Sequence, residues 1–224
     1  MKKIKIEKII RSNRKTIALT VTPDATLIVR APMKTSLDYI ENLVQKKRLW
    51  IESKQEFFQK NSQKYFPKEF VNGEGFWYLG KEYKLEIVEN QEIPVILENT
   101  LKIAKECLPF AKKCLVQWYK QMAFYKISQR AKRYAKETGL SYNTIRITDA
   151  QKRWGSCGPK GTLNFSWRLI MSPMKILDYV VVHELAHLEE PNHSSRFWNK
   201  VKVLLPDYKE RQEWLKENGN RLRV

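Results

Sequence analysis

Every histidine of the 224-residue chain falls between positions 183 and 193: His183, His187 and His193. The segment that introduces them, MKILDYVVVHELAHLEE, is apolar on nearly every face, as a buried helix is. Two imidazoles and a carboxylate inside such a helix need partners. Each unsatisfied buried polar group costs about 1–3 kcal/mol, and a charge costs more. A metal ion supplies those partners. His183 and His187 stand four residues apart and project from one helical face. Two nitrogens at about 2.0–2.1 Å from one Zn2+ ion suit that spacing. Glu184 follows the first ligand, about 100° further round the helix, and sits beside the ion without ligating it. This is the H-E-x-x-H arrangement, with the glutamate as catalytic base.

The third ligand decides the chemistry. Pro191 is predicted to end the helix, and His193 then comes six residues after His187, within reach of the same ion. Three histidines leave one tetrahedral position open, as a catalytic zinc site requires. The spacing equals that of the metzincin motif, but Glu190 stands where that motif has glycine, so a different turn is expected. Glu210 and Glu213, on a later helix, are rival third ligands of the kind gluzincins use; proximity favours His193. Water at such a site has a pKa near about 7. Glu184 takes its proton and passes it to the leaving group.

These groups must be held by the surrounding elements. Residues 3–10, 16–22 and 26–31 alternate as strands do, with a turn at TPDAT. One helix is predicted over MKTSLDYIENLVQKKRLWIESKQEFFQK, capped by Ser36. GEGFWYLGKEYKLEIV reads as a glycine-bounded hairpin. Pro109 opens a long helix that Gly139 ends. That helix is rich in lysine and arginine, either a solvated face or a strip facing a polyanion. The strand at Ile145 and Ile147, the GPKG turn and TLNFSWRLI read as an antiparallel hairpin. Ser172-Pro173 reads as an N-cap followed by proline at the first helical position. Asn192 and Ser194 are expected to shape the turn and cap a helix starting near Ser195. Phe197 and Trp198 are expected to anchor that helix and hold His193.

RWGSC (153–157), LNFSWRLI (163–170) and DYVVVHELAHL…NHSSRFW (178–198) occur in this order. With them the chain resembles the YgjP-like metallohydrolase family, related to SprT-like zincin metalloproteases. The resemblance implies an α+β, zincin-like core: a small, mainly antiparallel sheet over an active-site helix. It implies zinc on His183, His187 and His193, with Glu184 as general base. It also implies an edge strand that holds extended peptide, for which 161–168 is the candidate. The expected division is a β-rich accessory region with one helix at 1–107 and the metallohydrolase domain at 108–224. Arg153 is a candidate contact to the transition state or substrate, or simply an ion-pair partner. Trp154 is expected in the core, Gly155 in a tight turn, and Cys157 as a small buried thiol rather than a group near the metal.

The chain carries 42 Lys+Arg against 24 Asp+Glu, a formal +18, which suits a polyanion partner as well as a merely soluble surface. Three cysteines without CxxC argue against a disulfide framework and fit a reducing cytoplasm. The N-terminal MKKIKIEKIIRSNRK has no signal-peptide core, and no membrane association is expected. Three readings follow. The first is a zinc metallopeptidase acting on protein substrates, near DNA. The second is a nucleotide or phosphoanhydride hydrolase, for which a basic cleft serves equally well. The third is a nucleic-acid-binding module with structural zinc.

Overall fold

The computed structural model of the chain describes residues 4–22, 24–60 and 67–224. It contains two compact units, Met1–Tyr65 and Phe66–Val224. In the first, β1 (Lys8–Ser12), β2 (Ala18–Val21) and β3 (Leu27–Pro32) form a sheet. β3 is central, parallel to β1 and antiparallel to β2. Leu27, Val29 and Ala31 alternate inward along β3 and share a core with Ile40, Val44 and Ile51. The latter belong to α1 (Leu37–Lys46) and α2 (Arg48–Lys60). The single helix expected here is therefore two. Lys47, within the run QKKRLW, has φ −99° and ψ 13°, in the bridge region where α1 closes. Ser36 caps α1 as expected, accepting from the Tyr39 N–H at 3.3 Å. The strand expected from residue 3 begins at Lys8. Residues 1–3, and Pro23 of the expected turn, lie outside the described residues.

The second unit opens with β4 (Gly75–Tyr78), β5 (Lys81–Val88), β6 (Val95–Leu97) and β7 (Leu101–Ala104), ordered β4-β5-β7-β6. β4 and β5 form the expected hairpin. Its tip, Leu79-Gly80, donates backbone N–H groups to the carbonyls of Ile170 and Met171 at 2.8 and 3.1 Å. Gly80 has φ +81°, and a Cβ there would stand 2.8 Å from the Pro173 backbone. The hairpin thus braces the entrance to the helix that follows Pro173.

α3 (Ala111–Thr138) buries Leu115, Tyr119, Ala123, Ile127 and Ala131, a stripe repeating about every four residues. Pro109 lies in a preceding 3-10 turn, and Gly139 ends α3 with φ 72°. Phe76, Leu85, Val95, Leu101 and Ile103 of the four-stranded sheet share one core with this stripe. That shared core corrects the expected boundary at 107/108: the division falls before β4, because β4–β7 bury their apolar side chains with α3.

A second sheet holds β8 (Thr144–Thr148), β9 (Gly155–Cys157) and β10 (Thr162–Ser166), ordered β8-β10-β9. β10 runs parallel to β8 and antiparallel to β9. Two expectations change. The antiparallel partner of β10 is the three-residue β9, joined to it through GPKG, and not the 144–148 strand. The 161–168 segment is the middle of the sheet, so the edge strand beside the helix is β9.

α4 (Met174–Ala186) carries His183 and Glu184 and is buried along most of its length. Pro173 is its N-cap residue, with ψ 146°, rather than its first helical residue. The Ser172 hydroxyl donates back to the Leu169 carbonyl at 2.7 Å instead of capping α4. Asp178 is buried on α4 and accepts two hydrogen bonds from the Arg130 guanidinium of α3, at 2.5 and 2.7 Å. A bidentate pair of this kind fixes orientation as well as charge. It also turns Arg130 inward, out of the basic face of α3. α5 (Ser195–Leu204) and α6 (Tyr208–Asn218) complete this α+β unit. No described helix is long and apolar enough to cross a membrane.

Candidate metal centre

α4 ends at Ala186, four residues before Glu190, and His187 is its C-cap. The chain then turns through Leu188–Glu190, held by N–H groups of Glu189 and Glu190 that donate to the Ala186 carbonyl. The turn is complete before Pro191. Glu190 is not among the residues with positive φ, so this turn does not require the glycine of the metzincin spacing. Ser194 caps α5 as expected, accepting from the Phe197 N–H at 3.4 Å. Lys200 pairs with Glu189 at 2.6 Å, tying α5 to the turn.

This path brings the three histidines together. Their ligand atoms all lie within 4.8 Å of one another, and among the described residues they form the converging group of this kind. The Nε2 atoms of His183 and His193 are 2.9 Å apart. Two nitrogens on one tetrahedral zinc ion lie about 3.3 Å apart, from bonds of about 2.0–2.1 Å. The His187 Nδ1 stands 3.0 Å from the Glu190 carbonyl. A carbonyl only accepts, so Nδ1 carries the proton and Nε2 keeps its lone pair for a metal. The buried His183 Nδ1 has no hydrogen-bond partner. Burial, and then His187 and His193, hold the His183 imidazole down at about 3, so it is neutral, as a ligand must be. Burial and His187 also lower His193. The donor set fits a divalent ion that takes nitrogen ligands.

Phe197 and Trp198 occupy the places expected of them. The Phe197 ring is fully buried, with its centroid 4.8, 4.5 and 4.8 Å from those of His183, His187 and His193. Trp198 stacks on His193 at 5.6 Å, and Tyr208 stacks on Trp198 at 5.2 Å. The exposed His193 is thereby held against a column of rings rooted in α6. Glu210 and Glu213 lie on α6 outside the converging group; both are exposed, and Glu213 pairs with Lys216.

Glu184 is 4% exposed, and its Oε2 has no hydrogen-bond partner. Burial pushes the carboxyl up to about 8, against the opposing pull of the Arg153 charge. Arg153 is exposed, and its charge reaches Glu184 without a direct hydrogen bond among the described contacts. Cys157 is half-buried; burial and then Glu184 push its thiol up, which keeps it protonated. It donates to the Gly158 carbonyl at 3.6 Å and stands outside the converging group.

Gly155 has a role that its neighbours in sequence did not announce. A Cβ at this position would lie 2.5 Å from the Glu184 Oε1. Its φ is not positive, so a tight turn is not the reason for the glycine. The missing side chain makes room for the carboxyl. Gly155→Ala is therefore expected to displace Glu184 and to lower kcat by about 10²-fold, with bound metal unchanged. Metal analysis and turnover of the same preparation check this; unaltered turnover contradicts it.

In protein stripped of metal, the two large shifts fix how stability follows pH. His183, ordinarily near 6.5, is held at about 3 when folded, so the unfolded state binds more protons between those values and stability rises with pH. Glu184, ordinarily near 4.5, rises to about 8, so the folded state binds more protons and stability falls with pH. Between pH 4.5 and 6.5 the two oppose; from 6.5 to 8 Glu184 acts alone of the pair. Chelated protein is thus expected to lose Tm from pH 6.5 to 8, and Glu184→Gln to lose less. Thermal melts in chelator measure both; equal losses contradict the assignment.

A family model described as YgjP-like, metallopeptidase domain, matches residues 15–218. A search of curated proteins finds no match. Among solved structures, the metallopeptidase zymogen of Pyrococcus abyssi abylysin is similar at a TM-score of 0.37 and 22% identity, over 39% of this chain and 89% of that one. That likeness is partial, and nothing further rests on it.

Proposed function

The chain belongs to the YgjP-like metallopeptidase family, a metal-dependent peptidase class, and on that premise we propose a zinc-dependent peptidase with Glu184 as its general base. His183, His187 and His193 hold the zinc. The observation that carries this reading is the convergence of three imidazoles one residue from a buried carboxyl without a hydrogen bond to its Oε2. When bound, zinc supplies a Lewis acid that acidifies water and polarises a carbonyl. Glu184 accepts the proton of the attacking water and returns it to the departing amine. In this reading Arg153, whose charge acts on Glu184, steadies negative charge on the substrate.

β9 presents the place for a peptide backbone. The N–H groups of Ser166 and Gly158 donate to the carbonyls of Trp154 and Thr162, so the pairs 154/166 and 158/162 are hydrogen-bonded. Alternation in an antiparallel ladder then turns the N–H and C=O groups of Gly155 and Cys157 outward, to the open edge. An extended substrate adds there as a further strand, across the glycine that touches Glu184. The resemblance to SprT-like proteases and the +18 charge support substrates held near DNA. The three free cysteines support a reducing, cytoplasmic location. A structural zinc would be closed by a fourth protein ligand; no fourth His, Cys, Asp or Glu joins the group among the described residues.

A panel of unfolded proteins, peptides and nucleoside triphosphates, with Glu184→Gln as the blank, tests the reading. New peptide termini that depend on Glu184 are expected. Glu184-dependent phosphate release without peptide cleavage would replace it with phosphoanhydride hydrolysis.

A further inference from the structure

A cavity of about 310 Å3 opens directly beside Glu184 and His183. Its walls are Trp154 and Gly155 at β9, Tyr179 and Val180 on α4, and Leu215 on α6. We propose that this cavity is the specificity pocket, and that it receives one large apolar side chain, aliphatic or aromatic, of the residue flanking the scissile bond. The inference rests on the peptidase reading and adds the substrate class.

Three observations carry it. The first is position. Side chains of a peptide laid along the edge of β9 alternate between the two faces of the sheet, and one face looks towards α4. The cavity shares Gly155 with that edge and Glu184 with the proposed chemistry. A side chain inside it therefore belongs to a residue beside the bond being cut.

The second is the built wall. Gly219 leaves room for the Trp154 indole: a Cβ there would lie 2.7 Å from the ring. The indole is thus seated against the end of α6 rather than free to swing across the cavity. Tyr179, Val180 and Leu215 are each buried in the main core.

The third is charge. Gln212 and Lys216 also line the cavity, and neither offers an unengaged charge. Gln212 is uncharged, and the Lys216 ammonium pairs with Glu213 at 2.8 Å. The volume exceeds that of one leucine or phenylalanine side chain, and the lining is that of a pocket which recognises shape and apolar surface.

Two measurements on the full chain test the pocket. In the first, zinc-loaded protein cleaves a peptide library, and kcat/KM is compared for leucine or phenylalanine against alanine at each position flanking the cut. A preference of at least about tenfold for the larger residue is expected at one flanking position. Gln212→Trp, which narrows the cavity from its rim, is expected to reduce that ratio at least about tenfold. Cleavage with no such preference, or a preference that Gln212→Trp leaves unchanged, would overturn the proposal. In the second, metal-free protein is titrated with N-acetyl-leucinamide and N-acetyl-glycinamide while the Trp154 indole N–H resonance is followed, assigned with Trp154→Phe. Leucinamide is expected to shift the resonance and glycinamide to leave it in place; no shift with leucinamide sinks the pocket. If the library shows no Glu184-dependent cleavage, the peptidase reading fails, and the titration alone decides whether the cavity binds apolar side chains.

Discussion

Glu184→Gln is expected to lower kcat by about 10²–10⁴-fold, the range that a positioned general base contributes, while the protein still binds one equivalent of zinc. The argument has two parts. Glutamine keeps the size and shape of the buried side chain, so the clearance at Gly155 still accommodates it. Glutamine cannot take the proton of the attacking water, so the step that needs the base is lost. The metal is expected to stay bound, because the converging nitrogens belong to the three histidines and not to Glu184. Turnover and zinc content measured on one preparation separate the two effects. A variant that loses zinc together with activity would make Glu184 a ligand or a structural element, and not the base.

His193→Ala is expected to weaken zinc binding by more than the roughly 10–100-fold that follows loss of a residue which only supports a ligand, and to abolish turnover at limiting zinc. His193 comes from outside α4 and is the exposed member of the triad, so its replacement leaves the helix core unchanged. Trp198→Ala removes the ring stacked on His193 and is expected to fall within that 10–100-fold range. Glu210→Ala is expected to leave zinc affinity unaltered, because Glu210 is exposed and outside the triad. Competition with a chromophoric chelator gives all three affinities. Full affinity in His193→Ala with loss in Glu210→Ala would transfer the third ligand to α6.

The convergence of the three histidines was legible because its signals are local. His183 and His187 lie on one helix, His193 is six residues further on, and Ser194 caps the next helix within its own turn. The roles of Phe197 and Trp198 followed because rings so close in sequence to His193 must pack near it. The sheet was harder to read. β9 has three residues, too few for a period-2 pattern, and the β8–β10 pairing is parallel, so no hairpin turn marks it. The edge role therefore passed to the longer and more apolar β10. Gly155 acts through contact with Glu184, twenty-nine residues away in sequence; a glycine beside tryptophan reads equally well as a turn. The same holds for β4–β7: alternation reveals strands but not which core they join, and only their packing with α3 shows that they belong to the second unit. The break at Lys47 falls in a charged run that has no glycine or proline to mark it.

The central claim is that one zinc ion is held by three imidazoles and no thiolate. Zinc-edge X-ray absorption on protein loaded with one equivalent measures this directly. The account predicts a shell of nitrogen and oxygen at about 2.0–2.1 Å with the multiple scattering of three imidazoles. A sulfur shell at about 2.3 Å would place Cys157 on the metal and contradict it.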